Sequence, residues 1–236
     1  MKEIQRVAIV AHGLSNGGAE RVASELANYF ANREYSVLFI ASFSSVQDYT
    51  LSSNIDLRFI KTNKKNTLSK LIDRNRKIYK EIDKFKPDKV ISFITNELLL
   101  TLFKGYKVVF TLRNDPARED NGFFKGRFRK FAYSHAEHVV FQTKGAQNFF
   151  SDKIKRKSTV IPNPLEVDKL PVWDKGNHNR SFMTAVRLNA QKNLPLMIHA
   201  FKKLHDNYSD YKLEIYGQGE LYGELKALIE SLDASE

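Results

Sequence analysis

The sequence predicts a doubly wound α/β fold, and three observations carry that prediction. Short β-rich runs alternate with segments of helical period, several of the runs are apolar on both faces, and glycine turns follow strand ends. The first strand is RVAIVA (6–11), and a glycine loop leads from it into a helix over 18–31. YSVLFIASF (35–43) and DLRFIKT (56–62) are branched or aromatic runs bounded by polar residues, hence the next two strands. A helix over 67–85, strand DKVISFI (88–94), a helix over 96–104 and strand KVVFTL (107–112) continue the alternation. Helices over 123–134 and 144–154 then bracket HVVFQT (138–143), and STVIPN (158–163) closes the series. Runs apolar on both faces are what a parallel sheet covered by helices on two sides requires.

The pattern breaks after residue 167. DKLPVWDKGNHNR (168–180) has charge clusters, a proline, a glycine and no periodicity, which marks a linker between a first domain over 1–167 and a second over 181–236. The second series reads strand SFMTAVRL (181–188), helix 193–207, strand YKLEIYG (211–217), helix 219–232. Leu194, Met197, Ile198, Phe201 and Leu204 form one apolar stripe, and Leu221, Leu225, Leu228, Ile229 and Leu232 another. Two strand-helix units are short of a closed core. The second domain is expected to be incomplete.

Composition narrows the partners. The 236 residues are 42% hydrophobic, as a globular chain with a large core should be, and carry a net charge of +11, which favours anionic partners. No apolar stretch of membrane-spanning length is present, and the charged start is unlike a signal peptide, so a cytoplasmic protein is expected. The absence of cysteine excludes disulfides and Cys-based zinc sites. His135 and His138 have no carboxylate cluster beside them, and no metal site is expected. Lys and Arg crowd into 61–86, where ten basic residues face Asp73, Glu81 and Asp83. They also crowd into GFFKGRFRKFAY (122–133), where phenylalanines interleave with them. A basic helix with aromatics suits an anionic membrane surface; equally, it suits a core-facing phenylalanine stripe with a solvated basic face. No nucleic-acid motif accompanies the charge, and no nucleic acid is expected as partner.

Candidate site residues gather at strand ends. The opening loop, AHGLSNGGAERV (11–22), offers Gly13, Gly17 and Gly18 but neither the Gly-x-Gly-x-x-Gly of dinucleotide folds nor a P-loop. Gly17 and Gly18 start a helix whose free N–H groups face the ligand edge of the sheet; the other reading is a turn that needs positive φ. His12 and Asn16 flank the loop as acceptor-side candidates, His12 being open to a structural hydrogen bond as well. In AVRLNAQKNLP (185–195), Arg187 at a strand end and Lys192 at a helix start converge as a diphosphate site, the guanidinium gripping two oxygens and the ammonium acting as a point charge. Gly217 and Gly219 in YGQGE (216–220) make the next glycine turn, read alternatively as a tight αβ connection.

GGAERV, VIPNP, RLNAQKN and IYGQGE, in this order from Arg6 to Leu232, resemble the retaining glycosyltransferases of family 4 with the GT-B fold. The resemblance implies two Rossmann-like domains, the first for the acceptor and the second for the donor, a nucleoside diphosphate sugar, and chemistry that needs no metal or other cofactor. It implies that Gly17 and Gly18 let the donor's phosphates and sugar approach, that Gly217 and Gly219 help to hold it, and that Arg187 and Lys192 stabilise the diphosphate as it leaves. The implied reaction is transfer of a hexose to a glycan or lipid-linked acceptor for surface polysaccharide or glycoconjugates, at the inner face of the membrane. Val186 stands where the family usually has glycine. TLRNDP (111–116) stands where many members carry His-Asp, which makes Arg113 and Asn114 the acceptor-side candidates there, with Asp115 free to cap a turn. The family's paired glutamates have no counterpart in this chain, so sugar transfer by these 236 residues alone is not expected. The competing reading is a non-catalytic basic module on membrane or polyanion.

Overall fold

The computed structural model describes residues 5–15, 17–43, 45–119, 123–165, 176 and 179–232, and the chain divides into two compact units, 1–166 and 167–236. The expected linker lies outside the described residues except for Gly176, Asn179 and Arg180.

Unit 1 runs β1 (Arg6–Ala11), α1 (Gly18–Ala31), β2 (Ser36–Ala41), β3 (Asp56–Phe59), α2 (Thr67–Phe85), β4 (Lys89–Ser92), a 3₁₀ turn (Asn96–Leu98) and α3 (Leu99–Phe103). It continues β5 (Val108–Leu112), α4 (Pro116–Glu119), α5 (Phe123–His135), β6 (His138–Phe141), α6 (Lys144–Asn148), α7 (Asp152–Lys155) and β7 (Ser158–Val160). The seven strands are parallel in the order β3-β2-β1-β4-β5-β6-β7, so the doubly wound expectation is met. β1 is buried without a break from Val7 to Ala11. One face, through Val7, Ile9 and Ala11, meets α1 at Ala23, Ala27 and Ala31, whose spacing of four makes a smooth small-residue stripe. The other face, through Ala8 and Val10, shares a core with Ile78 and Ile82 of α2 and Ala132 and Tyr133 of α5. Each aliphatic side chain so buried contributes roughly 1.5–3 kcal/mol.

Helix ends follow their signals. Asn66 caps α2 by accepting from the Ser69 amide at 2.7 Å, and the helix stops at Lys86 in the left-handed region (φ 52°), one residue before Pro87. The helix expected over 144–154 is instead two short ones. Phe150 turns into the core against Tyr133 and Phe141, with ring centroids 5.4 and 5.1 Å away, and Ser151 is extended before α7 begins. α4 is an addition: Asp115 accepts from the Ala117 amide at 3.0 Å and Pro116 opens the helix, so Asp115 does cap a turn.

Unit 2 runs β8 (Ser181–Ala185), a 3₁₀ turn (Ala190–Lys192), α8 (Leu194–His205), β9 (Lys212–Tyr216) and α9 (Tyr222–Ser231). β8 and β9 pair in parallel. The two apolar stripes meet in one small core, with Leu188, Leu194, Ile198 and Leu225 buried and Met197, Leu228 and Ile229 partly so. β8 ends at Ala185 rather than 188, where its register with β9 stops at the pair Ala185 and Tyr216.

Candidate functional site

In unit 1 the strand order reverses at β1, from which the chain winds first toward β2 and β3 and then, through β4, the other way. Open α/β sheets bind ligands beyond the carboxyl ends of their strands at such a switch point. His12 leaves the end of β1, exposed, with its ring 4.6 Å from that of Phe43. Gly17 is extended (φ −134°) and Gly18 opens α1, so the reading of this pair as a positive-φ turn is set aside; among the described glycines only Gly105 has positive φ. A side chain at Gly18 would meet nothing within 4 Å, and one at Gly17 only the movable Glu20 carboxylate. The surface in front of the helix start is open. Tyr49 fixes the loop, its hydroxyl donating to the Gly17 carbonyl at 3.1 Å, a role nothing local in the sequence announces.

Two long-range bonds join the segments quoted above. Arg21 of GGAERV donates to the Pro164 carbonyl at 3.1 Å, and Arg113 donates to Asn163 Oδ1 at 2.7 Å, so VIPNP is held from both sides. Asn163 escaped sequence reasoning because its partner lies fifty residues away. Arg113 also lies over the Phe93 ring at 5.6 Å, and burial lowers its pKa from the ordinary arginine value. β4 separates β1 from β5, which puts His12 and Arg113 two strand spacings apart, about 10 Å along the edge. Arg113 and Asn114, with Gln142, Thr143 and Gly145, line a cleft of about 350 Å³. Asn16 lies outside the described residues.

In unit 2 the backbone does the positioning. Val186 donates to the Tyr216 carbonyl at 2.9 Å and Leu188 to the Gln218 carbonyl at 3.0 Å, pinning the peptide on either side of Arg187. The guanidinium itself is exposed, as is Lys192 at the end of the 3₁₀ turn. Gly217 and Gly219 acquire a structural reason: a Cβ on the first would overlap the Val186 carbonyl oxygen, and one on the second the Leu188 carbonyl oxygen. The close approach these two glycines permit is that of the neighbouring loop. They hold Arg187 in place from beneath.

The histidines find ordinary partners. His138 Nε2 bonds to Thr159 Oγ1 at 2.9 Å and His135 Nδ1 lies 2.9 Å from the Phe131 carbonyl; among the described residues no group of three or more possible metal ligands gathers. The two basic segments differ. α2 spends part of its charge internally, Lys77 pairing with Asp73 at 2.8 Å, which lowers the Asp73 pKa chiefly by that hydrogen bond. α5 presents Phe128 and Phe131 to solvent, with Phe103 of α3 stacked 5.8 Å from Phe131 and exposed to 66%. The side chains of Phe123, Phe124 and Lys125 lie outside the described residues. Among the described residues, no helix is long and apolar enough to cross a membrane.

The model of the family described as Glycosyltransferase Family 4 matches residues 16–169, and that of Glycosyl transferases group 1 matches residues 171–236. An uncharacterized glycosyltransferase of Methanocaldococcus jannaschii is 29% identical over 195 residues, covering 70% of this chain and 47% of that protein. The chain thus spans about half the length of the curated relative it matches. Among solved structures, the fold is similar to Alr3699/HepE of Anabaena, solved with UDP and glucose (TM-score 0.73, 14% identity, 99% of this chain and 68% of that one). It is also similar to sucrose-phosphate synthase of Thermosynechococcus elongatus (TM-score 0.74, 11% identity, 98% and 68%). With the first match alone spanning well over half of its residues, the chain belongs to Glycosyltransferase Family 4 and has the α/β architecture of the GT-B glycosyltransferases.

Proposed function

We propose that this chain supplies the acceptor-side domain and part of the donor-side domain of a glycosyltransferase. The enzyme moves a hexose from a nucleoside diphosphate sugar to a glycan or lipid-linked acceptor, with retention, in surface polysaccharide or glycoconjugate synthesis. The observation that carries the reading is the Arg187 loop: a guanidinium exposed to solvent on a peptide pinned at both neighbours, with Lys192 five residues on. As the bond from the anomeric carbon to the diphosphate oxygen breaks, negative charge grows on the leaving phosphate. A pre-positioned Arg and Lys stabilise that charge more than the ground state, with no metal required. Gly18 leaves room in front of α1 for the sugar or its phosphates.

The test is calorimetric titration of the chain with UDP, GDP and ADP and their hexose conjugates. At least one should bind, and Arg187→Ala should weaken that binding. A chain that binds none of them, and transfers sugar from none, is not this enzyme.

A second reading, that the protein works at the cytoplasmic surface of an anionic membrane, is favoured by the exposed Phe103, Phe128 and Phe131 with Lys104 and Lys130 beside them. Each basic residue at such a surface is worth about 1 kcal/mol and is screened by salt. Sedimentation with phosphatidylserine vesicles should fall steeply as salt rises; equal recovery with phosphatidylcholine would refute it.

A further inference from the structure

A second cleft opens at the carboxyl ends of β2 and β3, on the other side of β1 from Arg113. Its volume is about 300 Å³, and Phe43, Ser45, Lys61, Thr62, Asn63 and Arg74 line it. Phe43 forms one wall, and its ring lies 4.6 Å from that of His12, which follows β1. Arg74 reaches in from α2 and lies over Phe43, its guanidinium carbon 3.8 Å from the ring centroid. Stacking holds the guanidinium in one plane and leaves its in-plane donors to find acceptors.

One of those donors, Nε, has none among the described residues. It is buried, and among the described residues no carboxylate pairs with this arginine. The acids nearby are committed elsewhere: Asp73 to Lys77 at 2.8 Å, Asp56 to Arg58 at 2.8 Å, and Glu81 to Arg58 at 3.7 Å. Among the described residues no acidic side chain lines the cleft, whereas Lys61 adds a second positive charge to it. A buried N–H without an acceptor is costly, and an acceptor arriving in the cleft would relieve that cost. Of the remaining polar lining, Thr62 is bonded to Asp73, while Ser45 and Asn63 are of the kind that bonds hydroxyls.

We infer that this cleft binds the oxyanion of an acidic acceptor sugar, a carboxylate or a phosphate ester, with Arg74 as the fork and Lys61 as the second cation. The inference rests on the reading of unit 1 as the acceptor side, and it names a class of acceptor that reading leaves open. Arg74 and Lys61 are specificity-determining residues here.

The experiment follows the Arg74 Nε–H resonance of the ¹⁵N-labelled chain, assigned by its absence in Arg74→Met, during titration with glucuronate, glucose 6-phosphate and glucose. One or both of the acidic sugars should shift it; which one does identifies the oxyanion. Glucose should leave it unmoved. Arg74→Met, which keeps an apolar stem over Phe43, should weaken binding of the acidic sugar by about tenfold or more, the usual effect of removing a charge-assisted bond. Arg74→Lys, a milder change that keeps the charge but not the fork, should fall between. Glucose shifting the resonance as strongly as the acids, or unchanged affinity for both acids in Arg74→Met and Arg74→Lys, would overturn the inference. Nucleoside diphosphate binding, measured on the same variants, should not change, so failure of this cleft and failure of the transferase reading are separate results.

Discussion

The two units build the same strand-helix repeat at different depths of burial. β1 and β2 of unit 1 are each buried over five consecutive residues, whereas β9 of unit 2 alternates exposed with half-buried positions, and Met183 of β8 is exposed to 71%. A strand with helices on both faces has no polar side to show; a strand with helices on one face must alternate. The loops differ in kind as well. Backbone bonds tie loops in both units, as from Asp48 and Tyr49 to the Leu14 carbonyl in unit 1 and from Leu188 to the Gln218 carbonyl in unit 2, and unit 1 adds side-chain ties, Arg21 to Pro164, Arg113 to Asn163 and Tyr49 to Gly17. Side-chain ties tolerate a change of backbone residue nearby. Where one backbone crowds another, as at Gly217 and Gly219, only glycine fits without a shift.

The largest effect that would sharpen this contrast is catalytic. In a transferase that also carries the family's paired glutamates, Arg187→Ala or Lys192→Ala in unit 2 should lower turnover in a sugar-transfer assay by about 10²-fold, the range for loss of one electrostatic stabiliser, with the acceptor KM unchanged. Arg113→Ala in unit 1 should instead raise the acceptor KM more than it lowers kcat. The same kinetic signature from both sides would erase the division of labour.

Next comes the core. Ile9→Ala removes a side chain that is fully buried and should cost about 2–5 kcal/mol in urea unfolding. Ile215→Ala, at a half-buried position, should cost no more than about half as much, because the area lost to water is smaller. Equal costs would mean that unit 2 is packed as tightly as unit 1.

The glycines give a smaller contrast. Gly217→Ala forces a methyl into the Val186 carbonyl and should destabilise unit 2 by about 1–3 kcal/mol, read as faster hydrogen exchange at the Leu188 amide. Gly18→Ala, facing open space, should stay within about 0.5 kcal/mol of the parent. A tolerant Gly217 would break the claim that backbone contact, rather than ligand approach, explains that glycine.

The smallest effect is alkaline. Tyr106 is pushed up to about 12, first by burial and then by its hydrogen bond to Asp83, at 3.0 Å. A raised folded-state pKa contributes stability that is whole below the unfolded value of 10.0 and is lost as pH climbs through about 12. Stability should therefore hold to pH 10 and decline above it. Asp83→Asn should move the Tyr106 ionisation, followed by ultraviolet difference absorbance, to lower pH. Tyr216 of unit 2 is raised as well, chiefly by its bond to Glu214, and that variant should leave it unmoved. A shift in both would show the attribution to Asp83 to be wrong.

Much of the fold was legible in the chain. Unbroken apolar runs such as Val7–Ala11 announce a strand covered twice, the four-residue spacing of Ala23, Ala27 and Ala31 announces a helix stripe, and the switch to KLEIY alternation announces a strand covered once. These are local periodicities, written in residues a few positions apart. Helix breaks were less legible, since Phe150 leaves its helix for a core assembled from Tyr133 and Phe141. The site was legible only as types and places: glycines and cations at strand ends. Arg74 stood in the sequence as one of ten basic residues between 61 and 86. Lys77 has its carboxylate one helical turn back, at Asp73, but only the tertiary structure gave Arg74 the face of Phe43. It likewise gave Gly217 a structural reason, the nearby Val186 carbonyl. The physical reason is range: periodicity depends on the backbone's own repeat, but which charge is neutralised and which glycine is crowded depends on groups up to 143 residues away, as for Arg21 and Pro164, that meet only after the sheet has formed.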